Sequence, residues 1–169
     1  GFASFLLRFP NEKVTVVVLS NSDRTSAAKV AANLSALVFG SPVRTPVLQP
    51  YDAIATVLAA RGVPAAVARL RELRQAEPQN EAFGEDLLNE IGYDLLHADR
   101  AGDAVAVFAA NVEDFPRSEN AHDSLGEAYV ALGDRAKAIA SYERALALKP
   151  GLPSAVRALR QLRAPAQPK

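Results

Sequence analysis

The sequence predicts a mainly α fold. Its body is an α-solenoid of about three helical hairpins plus a capping helix, preceded by a β-hairpin and one helix (a partial α+β domain). Three observations predict it. Alanine supplies 33 of 169 residues, which favours helix. Positions in the second half repeat at an interval of 34 residues. A single strongly β-forming run, VTVVVL at residues 14–19, stands near the amino end.

The elements follow in chain order. Phe2 to Phe9 reads as a strand, and Pro10-Asn11-Glu12-Lys13 as the turn after it. Val14 to Leu19 is apolar on both faces except at Thr15, the pattern of a central strand buried on both sides. Ser20-Asn21-Ser22-Asp23 stops it. Ser22 or Asp23 can cap a helix from about Arg24 to Phe39, because a short side-chain oxygen accepts from the helix's free N–H groups. Val30, Leu34, Leu37 and Val38 mark the apolar stripe of that helix, and Gly40 ends it. Three prolines within SPVRTPVLQP make residues 41–50 an extended linker.

From Tyr51 onward the pattern is helical. Asp52–Arg61 and Pro64–Ala76 pair around Gly62, Glu85–Asp99 pairs with Asp103–Phe115, and Glu119–Leu132 pairs with Arg135–Leu148. A last helix from Pro153 to Arg163 carries Val156, Leu159 and Leu162 on one face. The expected domains are 1–40, a proline-rich linker at 41–50, a repeat domain at 51–163 and a frayed tail at 164–169.

Composition narrows the chemistry. Cysteine, tryptophan and methionine are absent. A disulfide framework, a cysteine nucleophile and a Cys-ligated zinc are therefore excluded. A chain without methionine is expected to be a processed product or a fragment. No run approaches the roughly 18 consecutive apolar residues of a membrane span. The formal net charge is zero, but residues 81–118 carry two basic and nine acidic groups, while residues 151–169 carry four basic and none acidic. Arg157, Arg160 and Arg163 form a solvated helix face rather than a nucleic-acid surface. His97 and His122 do not assemble a metal site with the acids around them, and no cofactor is expected. Glu85-Asp86 and Glu113-Asp114 read as solvated faces or partners of helix dipoles.

The 34-residue interval carries the clearest resemblance. Leu125-Gly126, Tyr129, Ala138, Tyr142, Ala145 and Pro150 align with Ile91-Gly92, Leu95, Ala104, Phe108, Asn111 and Pro116. With Glu119 as its first residue, the later copy resembles the tetratricopeptide repeat: Leu125-Gly126, Tyr129, Ala138, Tyr142 and Pro150 match the family, and His122 stands where it usually has tryptophan. Gly126 and Ala138 lack bulk where two helices cross, Tyr129 and Tyr142 fill the adjoining space, and Gly133 makes the turn. The earlier copy departs at Asp99, in the glycine position, and at Asn111, where alanine is preferred. A degenerate third copy has Ala66, Leu70, Leu73 and Pro78, displaced by an insertion near Asn80–Gly84.

In this repeat family the first helix of each hairpin lines the concave surface. That resemblance implies a protein-interaction groove formed by Asp86, Asn89, Tyr93, Leu96 and His97 with Asn120, Asp123, Glu127 and Val130. The family's best-known groove grips a carboxylate with basic residues. Here acids replace them, so the expected partner is a basic or neutral extended protein or peptide segment, or a docked piece of the same polypeptide.

The first forty residues carry a second resemblance. A strand, VTVVVLSNS and an alanine-rich helix resemble the carboxy-terminal end of the penicillin-binding-protein and class C β-lactamase-like serine hydrolases. That resemblance implies a hydrolase parent, exported as such enzymes commonly are, with its nucleophile upstream. Ser26-Ala27-Ala28-Lys29 spells that family's Ser-x-x-Lys, but on a helix after the final strand, where the family keeps no nucleophile. This chain alone is expected to be inactive.

Overall fold

The computed structural model describes residues 2–21, 26–43 and 49–164. It divides into two compact units, residues 1–47 and 48–169.

The first unit holds two strands and a helix. β1 (Ala3–Phe9) and β2 (Val14–Ser20) pair antiparallel, with Ala3 opposite Ser20 and Phe9 opposite Val14. Pro10 to Lys13 makes the turn, closed by the Lys13 N–H on the Pro10 carbonyl at 3.3 Å. α1 spans Ala27–Val38. Its cap is Ser26, whose hydroxyl oxygen accepts from the Lys29 N–H at 3.4 Å. The expected caps, Ser22 and Asp23, and the expected start, Arg24, lie outside the described residues. The Ser26 and Lys29 pair is thus a helix cap.

Two expectations for this unit are corrected. β2 is not buried on both faces: Val16 and Val18 are buried, while Val17 is 55% and Leu19 79% exposed. The helix stripe is inverted too. Ala27, Ala31 and Ser35, at i, i+4 and i+8, form the buried face of α1, and Leu34, Leu37 and Val38 face solvent. Small residues let the helix lie close to the sheet, and the larger apolar residues are left without cover.

The second unit is a succession of helices. α2 (Pro50–Ala76) is two helical arms meeting at Gly62, whose φ of 78° and ψ of 178° interrupt the helical backbone. Pro64 is tolerated because it falls at the start of the second arm, where its missing N–H has no helical partner. The expected linker therefore ends one residue early, with Pro50 already helical; residues 44–48 lie outside the described segments. α2 is long and apolar enough to cross a membrane by length and composition. Its break at Gly62 and the burial of Ile54, Leu58, Val63, Ala66, Val67 and Leu70 mark it as a core element.

α3 (Glu85–His97), α4 (Ala101–Asp114), α5 (Glu119–Leu132), α6 (Arg135–Leu148) and α7 (Pro153–Arg163) follow. The two complete hairpins repeat down to the backbone. Gly133 takes a left-handed φ of 84°, and the chain closes by Gly133 N–H on Val130 O at 3.0 Å and Asp134 N–H on Tyr129 O at 2.9 Å. Thirty-four residues earlier Asp99 takes φ 57°, with Asp99 N–H on Leu96 O at 3.1 Å and Arg100 N–H on Leu95 O at 2.9 Å. The departure from glycine leaves the turn type unchanged, because aspartate tolerates the left-handed region better than most residues.

The insertion before α3 is a 3-10 turn, Glu81–Phe83, capped by Asn80, and it buries Phe83. Arg74 fastens it, donating to the carbonyls of Phe83 and Gly84, pairing with Asp114 and lying 5.0 Å from the Phe115 ring centre. Asn111 is wholly buried and spends its amide on the Glu85 carbonyl at 3.2 Å. On α7 the buried positions are Ala155 and Leu159, with Leu162 packed beside them. Val156, expected on that face, is 38% exposed, since i, i+4, i+7 holds the stripe and i+1 rotates off it.

The helix crossings rest on glycine. A Cβ on Gly92 would lie 2.4 Å from the Phe108 ring, and one on Gly126 would lie 2.8 Å from the Tyr142 ring. Gly102 has open space around it. Gly92→Ala should therefore destabilise the chain by about 1–3 kcal/mol through overpacking, whereas Gly102→Ala should be neutral or stabilise by up to about 1 kcal/mol through helix propensity. Urea denaturation of the two variants measures both, and equal effects would refute the crossing argument.

Candidate functional site on α3 and α5

The expected groove residues fall on α3 and α5, but not all of them come together. Asp86 is exposed in the first turn of α3 and His97 is exposed at its last residue. A rise of about 1.5 Å per residue puts roughly 16 Å between them. Asn120 is exposed, and its amide donates to Glu85 Oε1 at 3.1 Å, so it is already engaged. Val130 is 45% exposed and Leu96 is half-buried. His122 sets its Nε2 3.2 Å from the Pro116 carbonyl, a local tie at the start of α5. Among the described residues no group of three or more His, Cys, Asp or Glu side chains could hold a metal ion.

Tyr93, Asp123 and Glu127 do converge. The Tyr93 hydroxyl lies 3.2 Å from Ser124 Oγ, and Glu127 is within hydrogen-bonding reach of the same hydroxyl. The Tyr93 ring stands edge-on to Phe108, with centres 5.3 Å apart. Asp123 is only 8% exposed, and no donor reaches its Oδ1. Ser154, on α7, reaches the same carboxylate. Asn89 sits one turn before Tyr93, just as Asp123 sits one turn before Glu127, and its Oδ1 is likewise buried without a donor.

Electrostatics reflect this crowding. Burial pushes the carboxyl pKa values of both Asp123 and Glu127 up, and for Glu127 the neighbouring Asp123 charge adds to the effect. The Tyr93 phenol is pushed up to about 12, first by burial and further by the Glu127 and Asp123 charges. Tyr142, beneath Gly126, is raised for the same reasons. Neither α3 nor α5 contains lysine or arginine to offset these charges.

Sequence reasoning missed Ser124 and Ser154. Ser124 is buried on α5 and contacts Tyr93, 31 residues earlier. It does not stand at the 34-residue interval from Tyr93, so the repeat gave no signal for the contact.

The comparisons with known proteins bear on the repeat. The tetratricopeptide repeat family model matches residues 119–152. Residues 119–152 form a tetratricopeptide repeat. The match starts at Glu119 and covers α5 and α6. No curated protein sequence matches the chain. Among solved structures, the second such domain of human RPAP3, determined with an HSP70 peptide, has a TM-score of 0.49 at 18% identity over 69% of this chain and 94% of that one. The first such domain of Spaghetti (RPAP3), bound to an HSP90 peptide, has a TM-score of 0.47 at 19% identity over 77% and 91%.

Raised carboxyl pKa values have a definite consequence for stability. The folded state binds these protons more tightly than the unfolded chain does. Ionisation above the folded pKa therefore costs stability, and the cost is relieved as pH falls through the folded value toward the unfolded one. The cost is greatest above the folded values. Asp123→Asn and Glu127→Gln should each raise Tm at pH 7 by a few degrees, at about 2–4 °C per kcal/mol for a chain of this size. The gain should vanish near pH 4, about the unfolded carboxyl value. Thermal melts at both pH values check this, and a lower Tm at pH 7 would contradict it.

Proposed function

We propose that the helical unit is a protein-interaction module. Its concave face, formed by α3 and α5, takes an extended basic or neutral segment of another protein or of the same polypeptide. What supports this reading is the acidic character of these two helices: Asp86, Asp123 and Glu127 stand on them with Asn89 and Tyr93, and neither helix carries a lysine or arginine to answer them. Asp123 and Glu127 are held at a cost to stability, which fits residues kept for binding rather than for folding. The groove is unsuited to a carboxylate clamp, because an incoming carboxylate would meet like charge. Replacing Asp86, Asp123 and Glu127 together with alanine should weaken capture of a basic peptide at least about tenfold in a fluorescence-anisotropy titration. Unchanged capture by a folded variant would refute the groove.

A second reading concerns residues 1–40. We infer that they are the closing strands and helix of a larger sheet domain of the class C β-lactamase-like serine hydrolase type, whose nucleophile stands upstream of this chain. What supports it is the uncovered apolar surface on both layers: Leu6, Val17 and Leu19 on the sheet, Leu34, Leu37 and Val38 on α1. A two-stranded sheet under one helix is marginal by itself. Amides of residues 14–20 should then exchange rapidly in the isolated 169-residue chain. Strong protection in a monomer would remove the support, and a coding sequence without a Ser-x-x-Lys upstream would remove the hydrolase.

A further inference from the structure

The stack of hairpins ends in charge. At the 34-residue interval α7 stands where a first helix stands: Ala155 and Leu159 follow Ala121 and Leu125, and all four are buried. Arg160 then falls on the crossing position held by Gly92 and Gly126, and Arg144 on α6 falls on the position of Ala110 on α4. Both glycines and Ala110 are buried, whereas both arginines are exposed. A crossing that has no room for a Cβ has none for an arginine. No further helix therefore packs on α7 as α4 packs on α3, and this face is open.

A solenoid cap needs only a polar outer face. This one has a single sign. Residues 135–163 hold seven basic groups and one acidic group, and that acid, Glu143, pairs with Arg163. Lys137 pairs with Asp134 and Lys149 with Glu119, but among the described residues Arg144 and Arg160 make no ion pair. Residues 72–134 have the opposite excess, fifteen acidic groups against three basic. Glu81, on the 3-10 turn, and Asp86, in the first turn of α3, are exposed there and likewise make no ion pair among the described residues. The formal net charge is zero, so copies of the chain meet without net repulsion and with opposite patches to offer.

We propose that the basic end of the stack, with Arg144 and Arg160, docks on the acidic entry to α3, with Glu81 and Asp86, of a second copy of the chain. A second copy is the occupant because the chain itself presents the complementary charge, far beyond the cations it holds beside those acids. The docking is heterologous, since the two patches differ. Each docked copy keeps one patch free, so association proceeds beyond a dimer. The interface shares Asp86 with the groove proposed above and needs neither Asp123 nor Glu127.

Sedimentation equilibrium of the full chain is the test. At about 20 mM salt, where charges are weakly screened, the mean mass should rise above the monomer's with a Kd on the order of 0.1 mM, and it should return to the monomer's by about 0.5 M salt. Arg144→Gln with Arg160→Gln, and separately Glu81→Gln with Asp86→Asn, should each weaken association at least about tenfold. Each double variant keeps the patch that the other lacks, so an equal mixture should form one-to-one pairs and nothing larger. Asp123→Asn with Glu127→Gln should leave association unchanged, which separates this interface from the groove. Association that persists at high salt and in both double variants would belong to the apolar surface of residues 1–40 and would overturn the proposal. So would a mixture no more associated than either variant alone. A chain that stays monomeric at low salt overturns it too, whether or not it captures poly-glutamate through Arg144 and Arg160.

Discussion

Close approach of helices at a glycine is the constraint on which the rest of the second unit depends. The Phe108 ring lies where a Gly92 side chain would begin, and the Tyr142 ring lies where a Gly126 side chain would begin. Each aromatic is nearly or wholly buried by that contact. The contact fixes how near the second helix of a hairpin comes to the first. It also sets the rotation of α3 and α5, because the glycine face must turn toward the partner helix. Asn89 with Tyr93, and Asp123 with Glu127, flank those glycines on the same two helices.

The same contact explains the unusual electrostatics. Tyr142 fills the space under Gly126 and so brings a buried aromatic beneath Asp123 and Glu127. An apolar floor withdraws the carboxylates from water and raises their pKa values. The repeat's packing rule thus desolvates acids on α5, and the absence of lysine and arginine from α3 and α5 leaves that cost unrelieved within these helices. Elsewhere the chain pairs its charges readily, as Arg71 does with Asp114 and Glu113.

The 3-10 turn before α3 shows how an irregular repeat stays in the stack. Four inserted residues would shift the next hairpin out of phase. Instead they fold back on themselves, bury Phe83 and are clamped by Arg74, whose planar fork satisfies two carbonyls and one carboxylate. The insertion is absorbed locally and the interval of 34 resumes at α3.

Much of the architecture was legible in the sequence. Helix order, the turns at Asp99 and Gly133, and the small residues at the crossings follow from periodicity and from steric needs that only glycine, alanine or a left-handed turn residue meet. Such signals are local: each depends on residues within one hairpin. What depends on burial against a distant surface was not legible. Ala27, Ala31 and Ser35, not the larger apolar stripe, face the sheet, because distance to the sheet and not hydrophobicity chose the face of α1. Asp123 reads from sequence as one groove acid among several, and only the approach of Tyr142 and Ser154 from later helices makes it a buried one. Sequence by itself determined the repeat and the acidic character of α3 and α5. Tertiary structure decided which of those charges lost their water, since desolvation is a property of neighbours that meet only when the chain has folded.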